Sequence, residues 1–110
     1  MRMVLLKEFW EKISMLNRGI MPARQCGISL LAQLKNAVKG DLNKVTKVVK
    51  LGGFVNSALD FTEQPSVING ASDLFVELFG EKGRHARTAV GANLPLGVAV
   101  EIDGIFEVES

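Results

Sequence analysis

Arg87 and Glu101 are the two side chains of this sequence best placed to do chemistry together. They lie on two consecutive strand-like segments, Gly83-Arg84-His85-Ala86-Arg87-Thr88-Ala89-Val90-Gly91 and Val98-Ala99-Val100-Glu101-Ile102, joined through Leu94-Pro95. Pro95 and Gly97 mark a tight turn between them, so a small fold could bring a fixed cation and a candidate base onto one surface. The bland alternatives are a surface ion pair for Arg87, worth about 0 to 1 kcal/mol, and a solvated face shared with Asp103 and Glu107 for Glu101. His85 offers an imidazole for general acid work, and reads more simply as a loop residue that caps or packs beside that surface.

Composition limits what such a pair could serve. A length of 110 residues with 47% hydrophobic side chains suits one domain with a real core. The 13 basic and 12 acidic residues are scattered and leave a net charge of +1, which gives no footprint for nucleic acid or an anionic membrane. One cysteine, Cys26, excludes an internal disulfide, and one histidine leaves no Cys/His set for a structural zinc. Cys26 has no neighbouring His or Lys and reads as a packed thiol in a reducing setting. The apolar run at Met3–Leu6 is too short for a signal peptide, and no stretch approaches the roughly 20 apolar residues that span a bilayer. A soluble, cytoplasmic protein is expected.

The elements that must position the pair follow from periodicity. Leu5, Leu6, Phe9, Trp10, Ile13 and Leu16 recur at helical spacing between charged residues, which predicts an amphipathic helix, with Phe9 and Trp10 as core or interface anchors. A second helix is predicted from about Arg18 to Lys39, with Pro22 near its start and Gly40 as its stop. Lys44 to Phe54 is valine-rich without clean alternation and reads as a strand covered on both faces, in which Gly52-Gly53 mark a bulge or a close approach. After a polar connection from Asn56 to Gln64, Pro65 opens a helix to Phe79 with Val67, Ala71, Leu74 and Leu78 on its apolar face, Phe75 and Phe79 widening the stripe, and Gly80 at its end. Gly70 inside that stripe is read as a close-packing site. Strands follow at about Arg87–Asn93 and Val98–Glu107. In the last, Val98, Val100, Ile102, Phe106 and Val108 point one way and Glu101, Asp103, Glu107 and Glu109 the other. The order predicts an α+β layer with two main helices on one side of a mixed sheet.

From about Gly19 onward the sequence resembles the RidA/YjgF family, also known as the perchloric-acid-soluble or "endoribonuclease" family. The matching residues are Gly40-Asp41-Leu42, Val48-Val49-Lys50-Leu51, Gly53-Phe54-Val55-Asn56, Asp60-Phe61, Val67-Ile68-Asn69-Gly70-Ala71-Ser72, Gly83-Arg84-His85-Ala86-Arg87, Leu94-Pro95 and Val100-Glu101-Ile102. The resemblance divides the chain into a divergent segment, 1–18, and a RidA/YjgF-like domain, 19–110. It implies a chorismate-mutase-like fold and a homotrimer with ligand clefts between subunits. It also implies hydrolysis of enamines and imines such as 2-aminoacrylate to keto acid and ammonia. Arg87 would hold the substrate carboxylate, Glu101 would position or activate water, and Asn69 would border the cleft, with His85, Ala89 and Gly91 lining it. No metal or organic cofactor is called for, since a guanidinium clamp and a general base suffice for a carbon already reactive in water.

Two departures qualify the expectation. Many deaminases of the family carry a cysteine two residues after the arginine, where this chain has Ala89, and the spacing from Arg87 to Leu94-Pro95 is one residue shorter. The family's N-terminal strand hairpin, which brings a serine and often an aromatic hydroxyl to the cleft, has no match before Gly19, and the chain contains no tyrosine. The hairpin is expected to be missing or replaced. Three readings follow: an imine or enamine hydrolase, a non-catalytic trimer that binds small keto or imino acids, and, disfavoured by the near-neutral charge, a ribonuclease or translation inhibitor.

Overall fold

A computed structural model of the chain describes residues 2–11, 20–56, 62, 64–94 and 98–109, the side chains of 9–11, 20–22 and 98–99 excepted. Six main elements run in the order β1 Arg2–Glu11, α1 Ile20–Ala37, β2 Val45–Val55, α2 Gln64–Phe79, β3 Ala86–Gly91 and β4 Val98–Val108. Short 3₁₀ turns at Leu42–Lys44 and Gly80–Gly83 precede β2 and β3. The strands form one mixed sheet in the order β1-β4-β2-β3, antiparallel except for the β2–β3 pair. Both helices lie on one face, α1 over β1 and β4 and α2 over β2 and β3. The α+β architecture is as the periodicity predicts.

Glycine ends both helices as expected. Lys39 and Gly40 have φ of 55° and 90°, and Gly80 has φ of 61°, a left-handed conformation that glycine adopts without strain. The Gly40 amide donates to the Lys35 carbonyl at 2.8 Å and so satisfies one of the last helical acceptors. Between helices and sheet sits a continuous core of Leu30 and Leu34 from α1, Ile68 and Phe75 from α2, Leu51 from β2, and Ile102 and Phe106 from β4. The helices touch where Gly27 faces Ala71, since a Cβ on Gly27 would lie 3.5 Å from the Ala71 Cα.

The predicted N-terminal helix is instead strand β1, paired with β4 from Arg2 to Glu11. Ile13 and Leu16, the rest of that predicted stripe, lie outside the described residues, as does the Trp10 side chain. Apolar residues stand on both faces of β1, and a two-sided strand imitates helical spacing over one turn. The free edge of β4 decides the outcome, because a ladder of backbone hydrogen bonds there outweighs local propensity. Val4 and Leu6 pack toward the core. Gln33 of α1 donates to Glu8 Oε1 at 2.6 Å and to the Lys7 carbonyl at 3.0 Å, which seats the strand beneath the helix.

Strand β2 is not covered on both faces, for Lys47 and Lys50 are exposed. Its uneven pattern comes from register shifts against β4 between Val45 and Lys47 and between Val48 and Lys50, which put Val45, Val48 and Leu51 on the helix side at intervals of three. Gly52 and Gly53 stay in regular register and serve close approach instead. A Cβ on Gly53 would lie 2.5 Å from Ile68 Cγ1, and one on Gly52 would lie 2.3 Å from Asp103 Oδ1. In α2 the predicted Val67, Ala71 and Phe75 are buried together with Ile68, whereas Leu78 is 50% exposed. The 56–64 connection is described only at Asn56, Thr62 and Gln64.

Cys26 is a buried thiol in α1, as its sequence context suggests. Burial first, and then the charge of Glu8, push it up from 9.0 to about 12. The folded state holds its proton where the unfolded chain loses it, so stability present below pH 9 falls as the pH rises toward about 12. Alkylation by iodoacetamide at about pH 9 is expected to be slower in native than in urea-unfolded protein by roughly 10²–10³ from thiolate fraction alone. Equal rates would place the thiol in solvent.

Candidate functional site

Arg87 stands on edge strand β3 opposite Leu51, and so on the face of the sheet that carries the helices. Asn69 and Ser72 lie above it on α2. Their spacing of three residues puts both side chains on one side of the helix. Arg87 Nη1 donates to Asn69 Oδ1 at 2.5 Å and to Ser72 Oγ at 3.2 Å. Ser72 is only 8% exposed, and its Oγ is 3.0 Å from His85 Nε2. His85 Nδ1 in turn reaches the Gly83 carbonyl at 2.5 Å.

Glycine at 83 is what lets this chain of bonds close. A Cβ there would lie 2.2 Å from the Phe75 carbonyl oxygen, so only glycine permits the 3₁₀ turn to lie flat against the end of α2. That contact aims the Gly83 carbonyl at the imidazole. Ala89 and Gly91 continue from Arg87 along the same face of β3, Ala89 packed against the core and Gly91 exposed. The structure places Arg87 against Asn69 and, through Ser72, in line with His85, three residues that the resemblance assigns to one cleft. Sequence reading missed Ser72, although the position three residues beyond Asn69 on a predicted helix was the available signal.

Glu101 does not join them. It pairs with Phe54 across the ladder, whereas Arg87 pairs with Leu51, and positions 51 and 54 of a regular strand point to opposite faces. The two strands are not neighbours, for β2 stands between β4 and β3, and the turn expected at Pro95 and Gly97 lies outside the described residues. The two residues are thus two strands and three residues apart, about 14 Å between Cα atoms at ordinary strand spacings, with the sheet between their side chains. Glu101 is half-buried on the open face, between Phe9 of β1 and Phe54 of β2 in the ladder.

That open face sets exposed apolar side chains among the charges of Lys50, Glu101, Asp103 and Glu107. Met3 and Leu5 are 60% and 68% exposed and Val90 41%, with Phe54 and Ile105 half-buried among them. Among the described residues the ion pairs are Arg24–Glu77 and Arg84–Glu81, neither of which involves Arg87. Among the described residues the guanidinium is held by neutral oxygens alone and has no acidic partner, so its Nε–H and Nη2–H are candidates to receive an anion. Among the described residues no group of His, Cys, Asp and Glu could hold a metal ion. No helix among them is long and apolar enough to cross a membrane.

The family model described as "YjgF/chorismate mutase-like, putative endoribonuclease" matches residues 12–101. Protein TCP17 of Trypanosoma cruzi is 52% identical over 94 residues, covering 84% of this chain and 58% of its own length. Among solved structures, Atu1372 of Agrobacterium tumefaciens, of unknown function, matches with a TM-score of 0.79 and 50% identity over 82% of this chain and 57% of that one. A Shewanella oneidensis protein described as a "putative endoribonuclease" matches with a TM-score of 0.85 and 26% identity over 96% of this chain and 79% of its own. The chain thus spans less than two thirds of the first two relatives.

Proposed function

The chain belongs to the YjgF/chorismate-mutase-like family, and from that premise we propose that it hydrolyses enamines and imines of the 2-aminoacrylate type to keto acid and ammonia, as a cytoplasmic homotrimer. The observation that carries the reading is Arg87, a cation anchored by Asn69 and Ser72 and without an acidic partner among the described residues. Its Nε–H and Nη2–H, without a partner among the described residues, suit the substrate carboxylate through two parallel bonds.

Glu101 supplies the base, and it comes from a second copy of the chain, because the sheet separates it from Arg87 of its own. Met3, Leu5 and Val90, exposed on the same face of the sheet, give that copy an apolar surface to cover. In the cleft the enamine reacts as its imine tautomer. Glu101 takes a proton from water as the oxygen bonds to the imine carbon and the C=N π pair moves to nitrogen. It then delivers that proton to the nitrogen. The resulting carbinolamine re-forms C=O as the C–N bond breaks, and ammonia leaves with the proton of the hydroxyl.

The experiment is to generate 2-aminoacrylate in the presence of the purified protein and follow pyruvate release. Acceleration over buffer that disappears in Arg87→Ala is expected. No acceleration, or acceleration undiminished in that variant, would sink the reading. A second reading, a non-catalytic carboxylate-binding trimer, draws on Ala89 in the position where many deaminases of the family have cysteine. It predicts Arg87-dependent binding of pyruvate with no turnover. Cleavage of single-stranded RNA by pure protein, lost in Arg87→Ala, would instead favour the activity in the family's description, against which the net charge of +1 speaks.

A further inference from the structure

Taking Arg87 as the anion clamp of the proposed function, we infer that Ser72 and His85 are positioning residues that select which edge of its guanidinium meets the ligand. The inference follows from proton counting along one chain of hydrogen bonds. The Gly83 carbonyl can only accept, so the His85 Nδ1 facing it carries a proton. In the neutral ring Nε2 is then an acceptor, and the Ser72 hydroxyl donates its one proton there across 3.0 Å. That direction turns the Ser72 lone pairs toward Arg87 Nη1 at 3.2 Å.

Arg87 Nη1 has two hydrogens, and the other goes to Asn69 Oδ1. Both are engaged. An end-on approach through Nη1 and Nη2 is therefore blocked, and the parallel pair that remains is Nε–H with Nη2–H. A carboxylate is received side-on, by a guanidinium whose torsions are fixed before the ligand arrives, which lowers the ordering cost of binding. His85 acts at one remove: without an acceptor at Nε2 the buried Ser72 hydroxyl loses its direction, and with it the bond that holds Nη1. Asn69 alone leaves the guanidinium free to pivot.

The test uses two readouts on wild type, Ser72→Ala, His85→Phe, His85→Gln and Arg87→Ala. The first needs no ligand. Proton–nitrogen NMR of the arginine side chains is expected to show slowed Nη rotation at Arg87 in wild type and in His85→Gln, whose amide oxygen restores the acceptor. Averaged signals are expected in Ser72→Ala and His85→Phe. A His85→Phe spectrum like that of wild type would overturn the positioning role. The second readout is calorimetric titration with pyruvate. Ser72→Ala and His85→Phe are expected to weaken binding about tenfold, the scale of one lost hydrogen bond, with His85→Gln close to wild type and Arg87→Ala showing no binding. Rescue by glutamine separates positioning from general support of the fold. If Arg87→Ala abolishes binding while Ser72→Ala and His85→Phe both bind as wild type, the positioning role is wrong and the clamp stands. If the NMR pattern holds but wild type binds no pyruvate, the clamp fails and the positioning role stands.

Discussion

Glu101→Gln is expected to lower kcat for 2-aminoacrylate hydrolysis by about 10²–10⁴, the usual contribution of a general base, while changing pyruvate affinity by no more than about twofold. The split follows from geometry. The anion clamp is built on β3 and α2, on the helix face, and the carboxylate stands on the open face, so neither supports the other within one chain. Glutamine keeps the shape and removes the base. Arg87→Ala should do the converse and abolish pyruvate binding. Parallel loss of binding in both variants would mean that Glu101 serves the fold of the site and not the proton transfer. Single-turnover kinetics beside calorimetry distinguish the two.

Phe75→Ala is expected to destabilise the fold by about 3–5 kcal/mol, the range for emptying an aromatic site in a packed core. Phe75 is fully buried, tilted at 49° against Phe106 with ring centroids 5.6 Å apart, and stacked on Phe79 at 6.4 Å. It ties the C-terminal half of α2 to the C-terminal part of β4. Its carbonyl is also the surface against which Gly83 closes, one turn beyond Ser72 on the same helix. The loss is a large part of the roughly 5–15 kcal/mol that holds a domain together. In urea, with a slope of about 1–3 kcal/mol per molar, the midpoint should fall by more than 1 M. A shift under about 0.5 M would show that the core closes over the gap at little cost.

Much of this architecture was legible because single elements announce themselves through local rules. The alternation of Val100, Ile102, Phe106 and Val108 with Glu101, Asp103 and Glu107 made β4 a half-buried strand, and Gly40 and Gly80 ended the helices where a left-handed residue was needed. Where tertiary partners decide, the sequence was silent. Strand β1 has apolar residues on both faces and becomes a strand only because β4 offers an edge. The register shifts beside Val45 and Val48 hide the faces of β2 from any period-2 count.

The same limit governed the site. Asn69, Ser72, His85 and Arg87 meet through a β2–α2–β3 crossover, whose ends a sequence motif can mark but whose juxtaposition it cannot. That Arg87 and Glu101 fall on opposite faces depends on the position of β2 between their strands, which no spacing between them encodes. On the proposed reading, what looked like one pair on adjoining strands is two half-sites, each completed by a second copy.

Mixing two inactive variants tests that claim most directly. Arg87→Ala and Glu101→Gln chains, differently tagged, are unfolded together, refolded, and purified through both tags to secure mixed assemblies. If each site takes Arg87 from one copy and Glu101 from the next, a trimer that holds both variants keeps both residues intact in about one site of three. The preparation should then recover about that fraction of wild-type 2-aminoacrylate hydrolysis. Mixed assemblies no more active than either variant alone would contradict a site shared between copies.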